Sequence, residues 1–292
     1  MDRYEELFSK FDFDKLDKEN ITYEVEKILA DNFAKYNNNT VYTKILGCVD
    51  LTSLNSDDTT EKIENLVGLV NNFDEKFEIM PTPAALCVYP SFISTVKDNL
   101  QEDLEIATVV GFPHSNTYTE VKIAETGMCV MDGATEIDVV MPLGLFCSQN
   151  YDEVYVELSE VKTACQNAKM KVILETGLLN DPVEIKKASI LAMTAGADFI
   201  KTSTGKSSVG ATLEAVYVMS QAVKEFYEIN KHKVGVKVAG GVSDTKSAVD
   251  YFTLVASILG EEWMTSDFFR IGASRLVNNL LSSLANREIN YF

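Results

Sequence analysis

The sequence of 292 residues contains little histidine. His114 and His232 are its two copies, and neither has another histidine or a cysteine at metal-ligand spacing, which argues against a zinc site built on histidines. None of the five cysteines forms a C-x-x-C pair, and their odd number does not suit a disulfide framework. Because they lie mostly in apolar runs, we expect reduced thiols in an intracellular, cytoplasmic protein.

Positive charge is also scarce. Lysine and arginine total 26 against 44 aspartates and glutamates, so the formal net charge is −18. Such a chain repels phosphate backbones and anionic membranes, and we expect neither nucleic acid nor a membrane as a partner. The opening residues, MDRYEELFSKFDF, lack the apolar stretch of a secretory signal, and no run approaches the roughly 18 apolar residues of a membrane span.

What the sequence does contain is a regular alternation. Short runs rich in Val, Ile and Leu are separated by longer amphipathic stretches, and they lie at residues 45–52, 84–90, 105–113, 136–142, 171–177, 199–205, 234–241 and 268–274. They are almost continuously apolar, as parallel strands covered on both faces are. Eight strands alternating with helices over roughly 250 residues predict an α/β protein with a single (β/α)8 TIM barrel. The alternative, a doubly wound open sheet, normally has a G-x-G-x-x-G turn, which does not occur here.

The domain organisation is predicted as one domain with two appendages. Residues 1–40 are expected to form an N-terminal helical extension that ends at NNNT, residues 37–40. The barrel is expected to occupy 41–286, followed by a tail over 287–292. The sequence contains no Pro/Gly/Ser-rich linker that would indicate a second domain.

Two lysines lie where an apolar strand would not place them. Lys201 is in FIKTSTG of the sixth predicted strand, and Lys237 is in VGVKVAGG of the seventh. Burying an ammonium without a partner costs several kcal/mol, so the alternatives are a lysine that reaches solvent at the strand end or an ion pair. Adjacent strands are ~4.8 Å apart, so the two amines would be neighbours. A second cation lowers the pKa of a lysine, and a neutral amine is what a Schiff-base nucleophile requires.

Carboxylates occur at comparable places in two other predicted strands. Asp138 lies between Ile137 and Val139 in EIDVVMP, and it is either an acid/base group or an ion-pair partner of one of the lysines. Asp50, in CVDLTSLN, is a weaker candidate of the same kind.

Glycine-containing turns follow the last three predicted strands, at residues 205, 240–241 and 272–274. Such turns expose backbone N–H groups, and TIM barrels often bind a phosphate at the loops after strands seven and eight. Lys206 and Arg275 could add positive charge there; the alternative is ordinary turn chemistry. Gly205-Lys206-Ser207 matches the end of a Walker A loop, but Ile200 stands where its first glycine is required.

Several of these stretches together resemble the deoxyribose-phosphate aldolases. The matching stretches are DLTSLN with DDT (50–59), ALCVYP (85–90), EIDVVMP (136–142), KVILETG (171–177), AGADFIKTSTGK (195–206), VGVKVAGGV (234–242) and FRIGAS (269–274). The resemblance extends from about residue 45 to 284. It implies a (β/α)8 class I aldolase without metal or other cofactor, active as a homo-oligomer, dimer or tetramer. The implied reaction is the reversible cleavage of 2-deoxy-D-ribose 5-phosphate to acetaldehyde and D-glyceraldehyde 3-phosphate, in deoxyribonucleoside catabolism.

The resemblance also implies roles for individual residues. By motif, Lys201 resembles the imine-forming lysine, Lys237 the neighbour that depresses its pKa, and Asp138 the proton-relay carboxylate. Residues that match substrate-binding positions are Asp50, Thr52, Cys87, Gly205, Lys206, Gly240, Gly241 and Ser274. Tyr291, the penultimate residue, matches a terminal tyrosine that helps to deprotonate the imine in some members.

Three positions depart from the better-known bacterial pattern. Val238 stands where proline is usual after the second lysine, Ser243 where many members have a basic residue, and Arg275 where a second Ser or Thr is usual. We expect Arg275 to replace the charge missing at Ser243.

Two other functions are alternatives to the class I aldolase. One is a scaffold or partner-binding protein on an aldolase barrel, with the N-terminal extension and the tail as the places for a second role; the retained Lys201, Lys237 and Asp138 argue against it. The other is a class II metal-dependent aldolase, which the low histidine count disfavours.

Overall fold

A computed structural model describes residues 3–14 and 16–292 of the chain, and within these residues eight parallel strands close into a barrel. Each strand pairs with its successor in sequence and β8 pairs with β1. The strands are β1 Val49–Thr52, β2 Ala85–Val88, β3 Glu105–Val110, β4 Glu136–Val140, β5 Lys169–Ile173, β6 Phe199–Lys201, β7 Gly235–Ala239 and β8 Phe269–Ala273. The predicted TIM-barrel fold is therefore confirmed.

Helices surround the barrel and precede it. They are α1 Arg3–Phe8, α2 Lys18–Tyr36, α3 Asn39–Leu46, α4 Thr60–Asn71, α5 Phe73–Lys76, α6 Ile93–Asn99, α7 Thr119–Asp132, α8 Leu143–Cys147, α9 Tyr151–Ala164, α10 Thr176–Leu179, α11 Pro182–Thr194, α12 Leu213–Asn230, α13 Thr245–Leu259 and α14 Leu276–Ala285. Short 3₁₀ turns lie at Pro90–Phe92 and Glu261–Trp263. None of the helices in the described part of the chain is long and apolar enough to cross a membrane.

The start of the barrel differs from the sequence-based expectation. Residues 37–40 do not simply end the extension, because the side chain of Asn38 accepts a hydrogen bond from the N–H of Val41 and so caps α3. The first apolar run, predicted as a strand from residue 45, begins inside this helix, and β1 starts only at Val49. The division into extension, barrel and tail stays a prediction.

The N-terminal segment is bound to the outer helices. The α2 helix packs along α12 and α13. The hydroxyl of Tyr4 donates to Asp152 at 2.8 Å. The buried Lys186 amine donates to the backbone carbonyl of Asp12 and, at 2.7 Å, to Glu225. These contacts anchor the segment to the barrel from two sides.

The barrel interior has an apolar side and a charged side. On the side of β2 and β3 it holds a small apolar cluster, consisting of Leu54, Ala85, Cys87, Ala107 and Val109. The remaining strands send charged side chains into the barrel, and these are fully or almost fully buried. A TIM barrel normally fills this space with branched apolar residues, so the charged half is the exceptional part.

Close packing inside the barrel makes Gly235 a sensitive position. A Cβ there would lie 2.3 Å from Cε1 of Phe199. The Lys171 amine and the Arg270 guanidinium lie 5.8 and 5.9 Å from the centroid of the Phe199 ring, which leaves the ring little space to move. We expect Gly235→Ala to lower the free energy of unfolding by about 1–3 kcal/mol, measured by urea and thermal denaturation.

The matched control is the same substitution at Gly68, within α4. A Cβ there meets nothing within 4 Å, and alanine is the better helix former, so Gly68→Ala should raise stability by up to about 1 kcal/mol. Shifts of the same sign in both variants would contradict the packing argument.

Candidate active site

Two lysines and one carboxylate meet at the C-terminal end of the barrel. Lys201 and Lys237 are direct partners in the register of β6 and β7. Their amines donate to the same oxygen, Oδ2 of Asp138 on β4, at 2.6 and 2.7 Å. Lys201 is 3% exposed, and the other two side chains belong to fully buried residues. The structure thus brings together the three residues to which the sequence assigned the chemistry.

The two amines differ in their electrostatic state. Burial lowers the pKa of Lys201 below its usual range, the charge of Lys237 acts in the same direction, and Asp138 opposes both. Burial also disfavours the charged form of Lys237, but Asp138 and Asp50 outweigh it and raise its pKa. Lys237 therefore remains an ammonium. Sequence reasoning made repulsion by Lys237 the cause of the lowered pKa, whereas burial is the larger cause here.

Asp138 is held as a carboxylate. Burial alone would raise its pKa, but Lys201, Lys237 and Lys171 lower it well below its usual range. Its second oxygen, Oδ1, accepts no hydrogen bond within the described residues, and the Lys171 amine lies 3.4 Å from it. The carboxylate is thus an acceptor with three cations around it.

Sequence reasoning missed three charged residues beneath this site: Lys171, Glu136 and Arg270. Lys171 donates to Glu136, and Arg270 donates to Asp50 at 2.6 Å and to Glu136 at 2.8 Å. Each lies in an apolar strand, so the rule that singled out Lys201 would have found them had it been applied to every strand. Together with the residues above they form a charge cluster, defined here as Asp50, Glu136, Asp138, Lys171, Lys201, Lys237 and Arg270.

Two residues expected to contact substrate lie below the pocket instead. Asp50 is fully buried and accepts hydrogen bonds from Lys237 and Arg270. The charges of Lys171, Lys237 and Arg270 hold its pKa well below its usual range against the effect of burial. Cys87 is also fully buried, and burial raises the pKa of its thiol to about 11. Neither lines the pocket described next, because the charges of β5, β7 and β8 draw Asp50 inward and the apolar cluster encloses Cys87.

Above the charge cluster lies an open cavity of about 370 Å³, formed where β1, β6, β7 and β8 end. It is lined by Thr52, Leu54, Asn55, Lys201, Thr204, Gly205, Lys206, Ala239, Gly240, Gly241, Val242, Ser243, Gly272, Ala273, Ser274 and Arg275. Lys201 is thus the member of the charge cluster that faces the cavity. Eight residues predicted from the sequence lie in this wall.

The rim away from Lys201 is built from backbone. Gly240 and Gly241 have φ of 97° and 90°, which favour glycine. A Cβ at Gly210 would lie 2.3 Å from the carbonyl oxygen of Gly240, so the loops after β6 and β7 approach closely. The α14 helix begins after Arg275 with no side-chain cap. Its first N–H groups and the Arg275 guanidinium favour an anion at this rim.

Glu175 supports this rim from below and was not singled out from the sequence. It is buried, has a φ of 52°, and accepts hydrogen bonds from the hydroxyls of Thr204 at 2.5 Å and Ser207 at 3.0 Å. The Thr204 hydroxyl in turn accepts from the N–H of Lys206 at 3.1 Å. A buried carboxylate therefore fixes the β6–α12 loop that contributes Gly205 and Lys206 to the cavity.

Tyr291 lies outside the cavity wall. Its hydroxyl donates to the carbonyl of Leu69 at 2.8 Å, and its ring packs on Phe73 and Phe77. Asn278 binds the tail by accepting the N–H of Tyr291 at 3.0 Å. In this arrangement Tyr291 does not reach Lys201, and its expected part in deprotonation would require the tail to leave these contacts.

The chemistry available at the cavity is that of a nucleophilic amine beside a fixed charge pair. A neutral lysine amine adds to carbonyl carbons, and a neighbouring carboxylate and ammonium can move the protons that this addition requires. In the described residues, no group of three or more His, Cys, Asp or Glu side chains is arranged to hold a metal ion.

Known proteins that are similar to this chain are aldolases. The model of the DeoC/LacD family aldolases matches residues 44–256. A Caenorhabditis elegans protein provisionally named a deoxyribose-phosphate aldolase is 40% identical over 252 residues, covering 82% of this chain and 80% of the relative. The tetrameric deoxyribose phosphate aldolase of Aeropyrum pernix is 27% identical with a TM-score of 0.68, covering 88% of this chain and 97% of that one. The aldolase QR15 is 30% identical with a TM-score of 0.69, covering 83% and 96%.

The fold and the site define a TIM-barrel lyase that makes and breaks carbon–carbon bonds. The chain belongs to the DeoC/LacD family of aldolases.

The burial of Cys87 leads to a prediction about thiol reactivity. With a pKa of about 11, roughly one Cys87 thiol in a thousand is ionised at pH 8, and the side chain is enclosed. Cys147 is exposed. We expect iodoacetamide at pH 8 to modify Cys147 rapidly and leave Cys87 unmodified in the folded protein, as read by peptide mass mapping. Urea-unfolded protein is the control in which both should react; rapid labelling of native Cys87 would show a thiol more open than described.

Proposed function

We propose that this aldolase forms a Schiff base and reversibly cleaves 2-deoxy-D-ribose 5-phosphate to acetaldehyde and D-glyceraldehyde 3-phosphate. The observation that carries the proposal is the contact of the Lys201 and Lys237 amines with one oxygen of Asp138. Burial lowers the pKa of Lys201, which opens to the cavity, while the carboxylate keeps Lys237 charged. The names of the C. elegans and A. pernix relatives supply the substrate.

The proposed reaction begins with the free amine of Lys201. It adds to C1 of the open-chain sugar, and the carbinolamine loses water to give an iminium ion. The C3 hydroxyl then gives up its proton, the C2–C3 bond breaks, and its electron pair moves to C2 and neutralises the iminium nitrogen as an enamine. D-Glyceraldehyde 3-phosphate leaves, the enamine is protonated at C2, and water releases acetaldehyde and the free amine. Every proton removed is returned, so the sequence needs no oxidant or reductant.

Asp138 and Lys237 are the proposed proton carriers. Because the pKa of Asp138 is held low, its carboxylate accepts hydrogen bonds and keeps a transferred proton only briefly. Lys237 remains an ammonium, so it can donate to the departing hydroxyl of the carbinolamine while Asp50 and Asp138 stabilise its charge. Thr52, in the cavity wall, is the proposed partner of a substrate hydroxyl.

The phosphate is proposed to bind at the glycine rim. The backbone N–H groups of Gly205, Gly240, Gly241 and the first turn of α14 are the proposed donors, with Lys206, Ser274 and Arg275 beside them. We further propose a cytoplasmic homo-oligomer acting in deoxyribonucleoside catabolism, the assembly by analogy with the tetrameric A. pernix relative.

The imine is tested by reductive trapping. Incubation with acetaldehyde and borohydride should add two carbons and four hydrogens, about 28 Da, to Lys201, located by peptide mass mapping. Lys201→Arg should fold and not be trapped, because a guanidinium does not become a neutral nucleophile. An adduct on Lys237 or Lys206 instead, or none, would overturn the assignment.

The part played by Lys237 is tested by the pH dependence of trapping. Lys237→Leu removes a cation that lowers the pKa of Lys201, while Asp138, which raises it, remains. The amine should therefore become neutral only at higher pH, so trapping should shift to alkaline pH and kcat at neutral pH should fall by ~100-fold. An unshifted profile with lower amplitude would mean that Lys237 acts by proton transfer alone.

Phosphate recognition is tested at Arg275. Its guanidinium is exposed at the cavity rim, so Arg275→Ala should raise KM for the phosphorylated sugar by ~10-fold or more. Unphosphorylated 2-deoxyribose is the control substrate, whose KM should change little. Equal losses for both substrates would show that Arg275 does not contact the phosphate.

A further inference from the structure

The charge cluster contains one more basic group than it has carboxylates. Its acids are Asp50, Glu136 and Asp138, and its basic members are Lys171, Lys201, Lys237 and Arg270, all at most 3% exposed. Three negative charges therefore balance three of the four cations. An arginine does not lose its proton in proteins, so any change in the balance must fall on a lysine or a carboxylate.

We propose that Glu136 and Arg270 are positioning residues for catalysis, whose opposite charges set the balance of the cluster so that Lys201 is the one surplus cation and is left as the free amine. The proposal rests on the Schiff-base function above, because that function is what requires a free amine. Neither residue lines the cavity, so they act through their neighbours rather than on substrate.

The pair is tied to the site by two routes of direct contact. On one route, Arg270 donates to Oδ1 of Asp50 at 2.6 Å, and Asp50 accepts from Lys237 through Oδ2. On the other, Arg270 donates to Oε1 of Glu136 at 2.8 Å, and Glu136 accepts from Lys171, which lies 3.4 Å from Oδ1 of Asp138.

Both routes end at Asp138, whose Oδ2 holds the amines of Lys201 and Lys237. Every member of the cluster therefore has an opposite charge as a neighbour, in one closed set of contacts. Removing the charge of Glu136 or of Arg270 therefore changes the electrostatic potential at every other member of the cluster, because the cluster excludes water that could screen it.

Lys201 is the member of the cluster whose protonation should respond most to a change in the charge balance. The pKa values of Lys171, Lys237 and Arg270 are raised, whereas that of Lys201 is lowered. The cation whose proton is held least is also the one open to the cavity.

Other groups around Lys201 do not offset a change in the charge of Glu136 or Arg270. Cys87 on β2 faces it with a thiol whose pKa is about 11, so it stays neutral at pH 7. Lys206 and Arg275 lie at the cavity rim, where solvent screens them. Asp138, Lys171, Lys237 and Asp50 are the charged neighbours already counted.

The test measures the free amine of Lys201 without substrate. Formaldehyde with cyanoborohydride methylates neutral amines, and peptide mass mapping gives the rate at Lys201 against pH, with the exposed Lys10 as internal standard. Glu136→Gln removes a negative charge and should move the midpoint to lower pH by about one pH unit, which is about tenfold in the free-amine fraction. Arg270→Gln removes a positive charge and should move it to higher pH by a similar amount.

The double variant and a conservative variant separate charge from structure. Glu136→Gln/Arg270→Gln restores the balance and should return the midpoint to near that of the unaltered protein. Arg270→Lys keeps the charge and loses the two-sided hydrogen bonding, so it should lower stability while leaving the midpoint nearly unchanged. If Glu136 and Arg270 had only a structural role, each variant would have a lower melting temperature, and the midpoints of the single variants would not shift in opposite directions.

The outcomes distinguish this inference from the proposed function. Midpoints that stay fixed, or that move in the same direction in both single variants, overturn the role of the pair even if acetaldehyde is trapped on Lys201. Opposite shifts together with no trapped imine support the pair and overturn the Schiff-base function. If Arg270→Gln does not fold, Glu136→Gln decides alone, because glutamine keeps the size of the side chain and one oxygen that can still accept from Arg270. An unshifted midpoint in Glu136→Gln refutes the proposal.

Discussion

One carboxylate oxygen organises the interior of this barrel. Oδ2 of Asp138 accepts hydrogen bonds from Lys201 and Lys237, which come from the two neighbouring strands β6 and β7. Two buried amines so close together would repel each other strongly without it, and the carboxylate would in turn be costly to bury without them. The lowered pKa of Lys201 arises within this contact, because burial outweighs the attraction of the carboxylate.

The charge cluster gives its lysines different pKa values but contributes little to the stability of the fold. Well-packed apolar residues are often at least as stabilising as a buried ion cluster, and the β2–β3 side of the same barrel is filled in that way. On the charged side, amines of the same chemical type differ in pKa: that of Lys201 is lowered, whereas those of Lys171 and Lys237 are raised. Its contacts are made by strands, which hold side chains more rigidly than loops do.

The cavity wall is formed partly by strand ends and partly by loops. The Lys201 amine projects from the end of β6, whereas the rim proposed to bind the phosphate consists of glycine turns and the start of α14. Glu175 joins the two parts, because its carboxylate fixes the Thr204 and Ser207 hydroxyls of the loop that directly follows Lys201. A substrate bound by its phosphate would therefore be held at a fixed distance from the amine.

The sequence by itself determined the barrel and its three central residues. Alternating apolar runs and amphipathic stretches specify parallel strands covered by helices, and Lys201, Lys237 and Asp138 were found because an ionisable side chain inside such a run is anomalous. Only the tertiary structure decided which charges meet. Contacts with Arg270, Lys237 and Lys171 hold Asp50 beneath the cavity, and contacts distant in sequence place Tyr291 against Leu69. Such pairings depend on three-dimensional neighbours, which no local pattern encodes.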